Sequence, residues 1–300
     1  MKNLNILRIM KKKSLKKIFF ISDLHFGTDK INDFRETLAM HKFLEKVEKE
    51  GEKLVLLGDI FELLQCEILE IYLQHKILID HFFELSKKIP IVLVFGNHDH
   101  ILSAFWNLES EKSNFFGSKI KIATEFIDKN RKIFASHGHQ FDKFNRKGDI
   151  LNPKDPKNFG DRIARIAGFL EKYIHPKADD FLEHIYKNYR IFLKKLHLES
   201  KKISNLITPK TNSYLELGGD FSEFEQGAKN ILKSNDYNLV LMGHTHHFEV
   251  KKFSKNNIYI NTGSWVSPEE PPTFVEIEEK TARICNAKNY NILEEVEFDH

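Results

Sequence analysis

Cysteine, tryptophan and long apolar runs are what this chain of 300 residues has least of. Its two cysteines, Cys66 and Cys285, lie far apart and in no metal-binding spacing, which excludes a disulfide scaffold and a thiolate metal site. They are read as reduced thiols of a cytoplasmic protein. The longest apolar stretches reach about half of a membrane span, which excludes a transmembrane helix. The opening stretch "MKNLNILRIMKKKSLKK" lacks a continuous apolar segment and a small-residue cleavage site, so it does not read as a signal peptide. It reads as a frayed arm or a basic surface anchor. Low-complexity tracts and internal repeats are absent as well. With 41% hydrophobic and 30% charged residues, the chain is an ordinary globular protein rather than a disordered one, and long enough to bury a core.

Charge is unevenly spread. The net charge is +3, yet residues 1–17 carry seven Lys and Arg with no acid, and residues 143–212 carry sixteen against eight acids. The rest of the chain is therefore strongly acidic. An acidic core beside a basic segment suits cations and an anionic substrate held near them.

A rhythm starts at residue 18. The apolar runs "KIFFIS", "KLVLLG", "PIVLVFG", "KIFASHG" and "NLVLMG" read as strands. Helical patterns separate several of them, at 33–50, Glu67–Lys88 and 222–234; on the last, Phe224, Ala228, Ile231 and Leu232 share one face. Strands apolar throughout and alternating with helices indicate a sheet covered on both faces. The tail differs: "FEVKKF", "NIYINTGS" and "PTFVEIE" read as short strands expected to pair antiparallel. Residues 143–215 break the rhythm. Leu182, Ile185, Tyr189, Phe192 and Leu196 repeat at helical steps, as do Phe159, Ile163, Ile166, Leu170 and Ile174. The expected organisation is a core over 18–142 and 216–285, interrupted by a basic helical cap over 143–215.

Each apolar run ends in a polar turn of one kind. "ISDLHFG" supplies Asp23 and His25, "LLGDIFE" supplies Asp59, and "VFGNHDH" supplies Asn97, His98, Asp99 and His100. "ASHGHQFD" supplies His137 and His139, and "MGHTHH" supplies His244, His246 and His247. Strand carboxyl ends converge on one crevice, so these side chains can meet in space. Imidazole, carboxylate and amide oxygen without thiolate suit Mn²⁺, Fe, Zn²⁺ or Mg²⁺. Asp23, His25, Asp59, Asn97, His137, His244 and His246 are more donors than one ion with open positions needs, and two ions sharing a carboxylate fit the number. In Asp23-Leu24-His25 and His244-Thr245-His246, donors two apart on an extended segment would face one side. Single turns of this kind arise by coincidence; the whole ordered set does not. Glu62 reads either as an acid that orients a ligand or as a helix N-terminal acid. His139 and His247 read as outer contacts or exposed polar residues.

On "DLH", "GD", "GNHD", "SHGH" and "GHTH", the sequence resembles the calcineurin-like metallophosphoesterase superfamily over residues 18–142 and 216–278. The resemblance implies an α/β fold, a four-layer α/β/β/α sandwich with the cap inserted. It also implies a centre of two divalent metal ions, with manganese the first expectation. Asp23, His25 and His246 would hold the first ion and Asn97, His137 and His244 the second, with Asp59 bridging. His98 and Asp99 match the catalytic pair, His98 as proton donor to the leaving oxygen or hydrogen-bond donor to the phosphoryl group, and Asp99 as the residue orienting its ring. A nearer resemblance is to the UDP-2,3-diacylglucosamine hydrolase-like members. These also carry a helical basic lid between the fourth and fifth motifs, and a strand like "YINTGSW" before "PTFVEIE". The chain departs from them at His98, where they carry arginine, and at His139, where they carry an acid.

The expected activity is metal-dependent hydrolysis of a phosphate ester or anhydride, on a small-molecule or lipid-linked phosphate substrate. A lipid-linked UDP-sugar leads, and a soluble nucleotide or a phosphoprotein is the alternative. A basic cap with Tyr173, Tyr186, Tyr189 and Phe192 could cover either and would make peripheral contact with the inner membrane surface. Nuclease action is a rival, but the acidic core and the lack of a reading helix argue against nucleic acid. A silent scaffold would have lost donors, and all seven are present.

Overall fold

A computed structural model of the chain describes residues 16–28, 33–63, 66–103, 120–141 and 222–299. The basic cap and residues 1–15 of the opening arm lie outside the described residues. β1 (Lys17–Ile21), β2 (Gly51–Leu57) and β3 (Ile91–Val94) are buried on both faces, as their unbroken apolar sequences require. They pair in parallel, and β4 (Ile120–Ala123) extends them. On the other side of β1, β10 (Thr273–Glu278) pairs antiparallel and is followed by β11 (Thr281–Asn286) and β12 (Ile292–Glu297). The sheet has seven strands in the order β12-β11-β10-β1-β2-β3-β4.

A second sheet holds five strands: β5 (Phe126–Asp128), β6 (Ile133–Ala135), β7 (Leu239–Met242), β9 (Asn257–Thr262) and β8 (Phe248–Ser254), in that spatial order. β6, β7 and β9 are parallel, and the edge strands β5 and β8 run antiparallel to their neighbours. The antiparallel tail is thus divided. β8 and β9 stay in the second sheet, and β10 crosses to the first.

Alternation along each strand sends one set of side chains to each face. Ile18 and Phe20 of β1, Val55 and Leu57 of β2, and Leu239 and Leu241 of β7 form one cluster between the sheets. Phe19, Ile21, Leu54 and Leu56 face the other way. They meet Met40, Phe43, Leu44 and Val47 of α1 (Thr37–Glu50) and Leu78, Phe82 and Leu85 of α2 (Ile68–Lys88). Val240, Met242 and Tyr259 pack under Phe224, Ala228 and Leu232 of α3 (Ser222–Ser234), the face expected from the periodicity of that helix. The layers are therefore helices, sheet, sheet, helix. Both faces of each sheet are covered, but one of the two covers is the other sheet rather than a helix.

The parallel strands end on one side of the sandwich, and their connecting loops continue the pairing. Asp23 N donates to Gly58 O (3.0 Å), His25 N to Asp59 O (3.0 Å) and Phe26 N to Ile60 O (2.9 Å). From the second sheet, Thr262 reaches Ser22: their hydroxyl oxygens lie 2.7 Å apart, and Ser22 also donates to Gly263 O (3.1 Å). α2 is tied to the same end, since His75 Nε2 donates to Gly27 O at 2.9 Å where the helix has a non-helical turn. Backbone hydrogen bonds thus join the loops after β1 and β2, and the Ser22 hydroxyl ties that end to the second sheet.

Candidate metal centre

The loops after β1, β2, β3, β6 and β7 gather the motif residues into one buried group. Asp23, His25, Asp59, Asp99, His137 and His244 are all below a tenth exposed. Ligating atoms of Asp23, His25 and His246 form one cluster, those of Asp59, His137 and His244 a second, and those of His25, Glu62 and His98 a third that shares His25 with the first. The groups adjoin: His25 Nε2 is 3.9 Å from Asp23 Oδ1 and 4.0 Å from Asp59 Oδ2. His246 Nε2 lies 3.2 Å from His25 Nε2 and 3.3 Å from Asp23 Oδ1. His137 Nε2 comes within 3.0 Å of Asp59 Oδ2, yet the two form no hydrogen bond.

The backbone accepts strain to achieve this. Asp23, His25, Asp59, His244 and His246 all have φ between 44° and 71°, a region costly for residues with a Cβ. The segments after β1 and β7 are thus left-handed at alternate positions rather than extended, which corrects the expectation for both pairs. Gly96 explains the Gly-Asn-His turn: a Cβ there would lie 2.1 Å from Asp59 Oδ1.

Second contacts fix the ligating side chains. Asp59 Oδ1 accepts from His98 N (2.8 Å), Asp23 Oδ2 from His244 N (3.1 Å), and His137 Nδ1 donates to Leu57 O (2.9 Å). That last bond leaves His137 Nε2 as the acceptor nitrogen whenever the ring is neutral. Asp99 does not orient His98. Its Oδ2 accepts from Ile60 N (2.8 Å) and its Oδ1 from Gly96 N (2.6 Å), so it clamps the β2 and β3 loops together. The ring of His98 is held instead by Glu62, whose Oε2 lies 2.6 Å from His98 Nδ1 and 3.3 Å from His25 Nδ1. Glu62 is not a helix N-terminal acid, because α2 begins only at Ile68. A carboxylate three residues after Asp59 was the sequence signal; only the loop's path shows which rings it meets. His247 turns away to Glu270 (2.9 Å). The ring of His139 approaches His137 and His244, with centroids 5.6 and 6.4 Å away.

Electrostatics match a cation site. Burial would lower His137, but the Asp59 and Asp23 carboxylates outweigh it and raise its pKa to about 9. Burial would raise Asp59 and Asp23, but the surrounding imidazoles hold both below the usual carboxylate range. Burial and the nearby Asp59 charge push Asp99 up to about 6. Asp23 Oδ1, Asn97 Oδ1 and His137 Nε2 are buried without a hydrogen-bond partner. An unsatisfied buried polar atom costs roughly 1–3 kcal/mol, a cost that coordination of a cation removes. The donor set therefore fits divalent cations.

A pH dependence follows. With a pKa near 9, His137 carries a proton at neutral pH in the metal-free fold, and a cation bound through Nε2 must displace it. Loading should release protons, seen as a binding heat that varies with buffer ionisation enthalpy. Apparent affinity should weaken as pH falls below 9, by about tenfold per pH unit for each proton displaced. Affinity that is flat between pH 9 and 7 would contradict this.

Two facing sheets with a His/Asp cluster at the strand ends define a metal-dependent phosphoesterase. The chain matches the calcineurin-like phosphoesterase family over residues 16–248 and belongs to it; it is a metal-dependent hydrolase. It is 23% identical over 242 residues to the UDP-2,3-diacylglucosamine hydrolase of Vibrio atlanticus (strain LGP32), covering 80% of this chain and 85% of that one. Among solved structures it resembles Yfce, a phosphoesterase from E. coli, at 15% identity and TM-score 0.43 over 94% of this chain and 100% of the other. A dimetal phosphatase from Danio rerio aligns at 12% identity and TM-score 0.47 over 95% and 100%.

Proposed function

We propose that the chain hydrolyses a phosphoester or pyrophosphate bond at two divalent cations, manganese first among them, and that its substrate is an acylated UDP-sugar. The carrying observation is the trio of buried atoms without partners, Asp23 Oδ1, Asn97 Oδ1 and His137 Nε2, contributed by three separate loops. Asp23, His25 and His246 would hold one cation, Asn97, His137 and His244 the other, with Asp59 between them. Bound there, the pair supplies Lewis acidity and a nucleophile available at neutral pH.

The chain's own residues do the rest. His98 donates Nδ1–H to Glu62, which leaves Nε2 for the substrate. In the metal-free fold burial lowers its pKa, but Asp59 and Glu62 together raise it above the ordinary value; held by Glu62, the ring is the group positioned to give a proton to a leaving oxygen. Glu62 is held at about pKa 2; burial opposes this, but its bonds to His25 and His98 prevail, and it stays a carboxylate throughout.

The substrate class rests on similarity to the Vibrio hydrolase along most of both chains. No helix among the described residues is long and apolar enough to cross a membrane. His98 and His139 stand where that branch carries arginine and an acid, which favours a second reading, a soluble nucleotide or phosphoprotein. A panel of monoesters, diesters, UDP-sugars and acylated UDP-sugars under Mn²⁺ decides between them. Fastest turnover of the acylated UDP-sugar, with release of UMP, is expected. Turnover of simple esters alone would overturn the substrate and leave the phosphoesterase intact.

A further inference from the structure

The group formed by His25, Glu62 and His98 joins a donor of the first cation site to the proton donor, and a single carboxylate makes the link. Glu62 is buried, and its Oε2 lies 3.3 Å from Nδ1 of His25 and 2.6 Å from Nδ1 of His98. Its other oxygen, Oε1, is buried without a hydrogen-bond partner. Among the described residues, the two rings are therefore the only hydrogen-bond partners of this carboxylate, and its place depends on both. The rings also touch edge to face, with centroids 4.7 Å apart.

A neutral imidazole has one N–H and one lone pair. In the metal-free fold His25 has two uses for them, because its Nε2 lies 3.2 Å from Nε2 of His246 while its Nδ1 faces Glu62. With Nε2 given to a cation, Nδ1 must carry the proton and direct it at Glu62. A carboxylate behind a metal-bound histidine fixes both tautomer and ring orientation in this way. The same Oε2 receives Nδ1–H of His98, which leaves Nε2 of that ring for the substrate. We infer that Glu62 is a positioning residue shared by the two rings, so that loading of the first cation site tightens the hold on the proton donor. The inference rests on the metal centre and proton donor of the proposed function, and adds that the two are coupled through one side chain.

Glu62→Gln keeps the shape and an acceptor oxygen but removes the charge. It should bind Mn²⁺ about 10- to 100-fold more weakly, the cost typical of losing the group behind a metal-bound histidine. At saturating Mn²⁺ it should still lose kcat with KM unchanged, whereas His98→Gln should lose kcat alone. The ¹H NMR signal of His98 Nδ1–H, assigned by its absence from His98→Gln, gives a readout without turnover. In wild-type protein titrated with Zn²⁺ it should sharpen as metal binds, and in Glu62→Gln it should stay broadened by exchange with water. A wild-type signal unchanged through the titration would overturn the coupling, even if Glu62→Gln failed to fold. So would wild-type Mn²⁺ affinity in a folded Glu62→Gln, which would leave Glu62 serving His98 only. If no phosphate substrate is cleaved, the proposed function fails, while metal affinity and the proton signal still decide the role of Glu62.

Discussion

Asp59→Asn should lose at least about 10³-fold in kcat/KM, a barrier increase of roughly 4 kcal/mol, with a matching fall in bound metal. Asp59 adjoins members of both donor groups. Its Oδ2 lies 3.0 Å from His137 and 4.0 Å from His25, and its Oδ1 holds the backbone of His98 at 2.8 Å. The amide retains shape and an acceptor for His98 N but removes the charge that would be shared by two cations. It also removes the carboxylate that raises His137, so the metal-free variant should bind fewer protons at pH 8. Metal analysis beside a steady-state assay separates the effects. Near-normal metal content with near-normal rate would show that Asp59 is not the shared ligand.

Removing His98 should have a different signature. His98→Asn should cost on the order of 10²- to 10³-fold in kcat while metal content stays at the wild-type level. The ring touches the cluster only through Glu62 and an edge contact with His25, centroids 4.7 Å apart, so the seven donors stay in place. If it protonates the leaving oxygen, the loss should be large for alkyl esters and small for p-nitrophenyl esters, whose leaving group needs no proton. The alkaline limb of the kcat profile should also disappear, because that limb reports loss of the His98 proton. An equal loss for both leaving groups would assign His98 to binding the phosphoryl group instead.

The strands that carry the site were readable because each is an unbroken apolar run ending in a polar turn: β1, β2, β3, β6 and β7. Those that escaped reading are short or half-exposed. β12 is "ILEEVE", mostly solvated at a sheet edge, and β4 has only two of its four residues buried. Its apolar content is too small to mark β12 out, and what holds it is the backbone ladder to β11. The role of Asp99 escaped for another reason, and Glu62 was readable as an acid that could orient a ligand but not as the partner of the His25 and His98 rings. Both are acids beside a motif, and nothing in their spacing shows that one would face two imidazoles and the other three backbone amides.

Composition and order determined by themselves which residue types could bind cations, and that they would follow strands. Hydrophobic burial dictates where strands run, and a chain leaving a buried strand must turn at its end. Tertiary structure bears out the two-sheet sandwich that the family resemblance implied and that the apolar pattern alone did not show. It also decided that alternate residues of two loops would take left-handed backbone, and that a carboxylate from the second loop would hold the ring of the third. Those outcomes depend on hydrogen bonds between segments far apart in sequence, whose partners exist only once the sheets have packed.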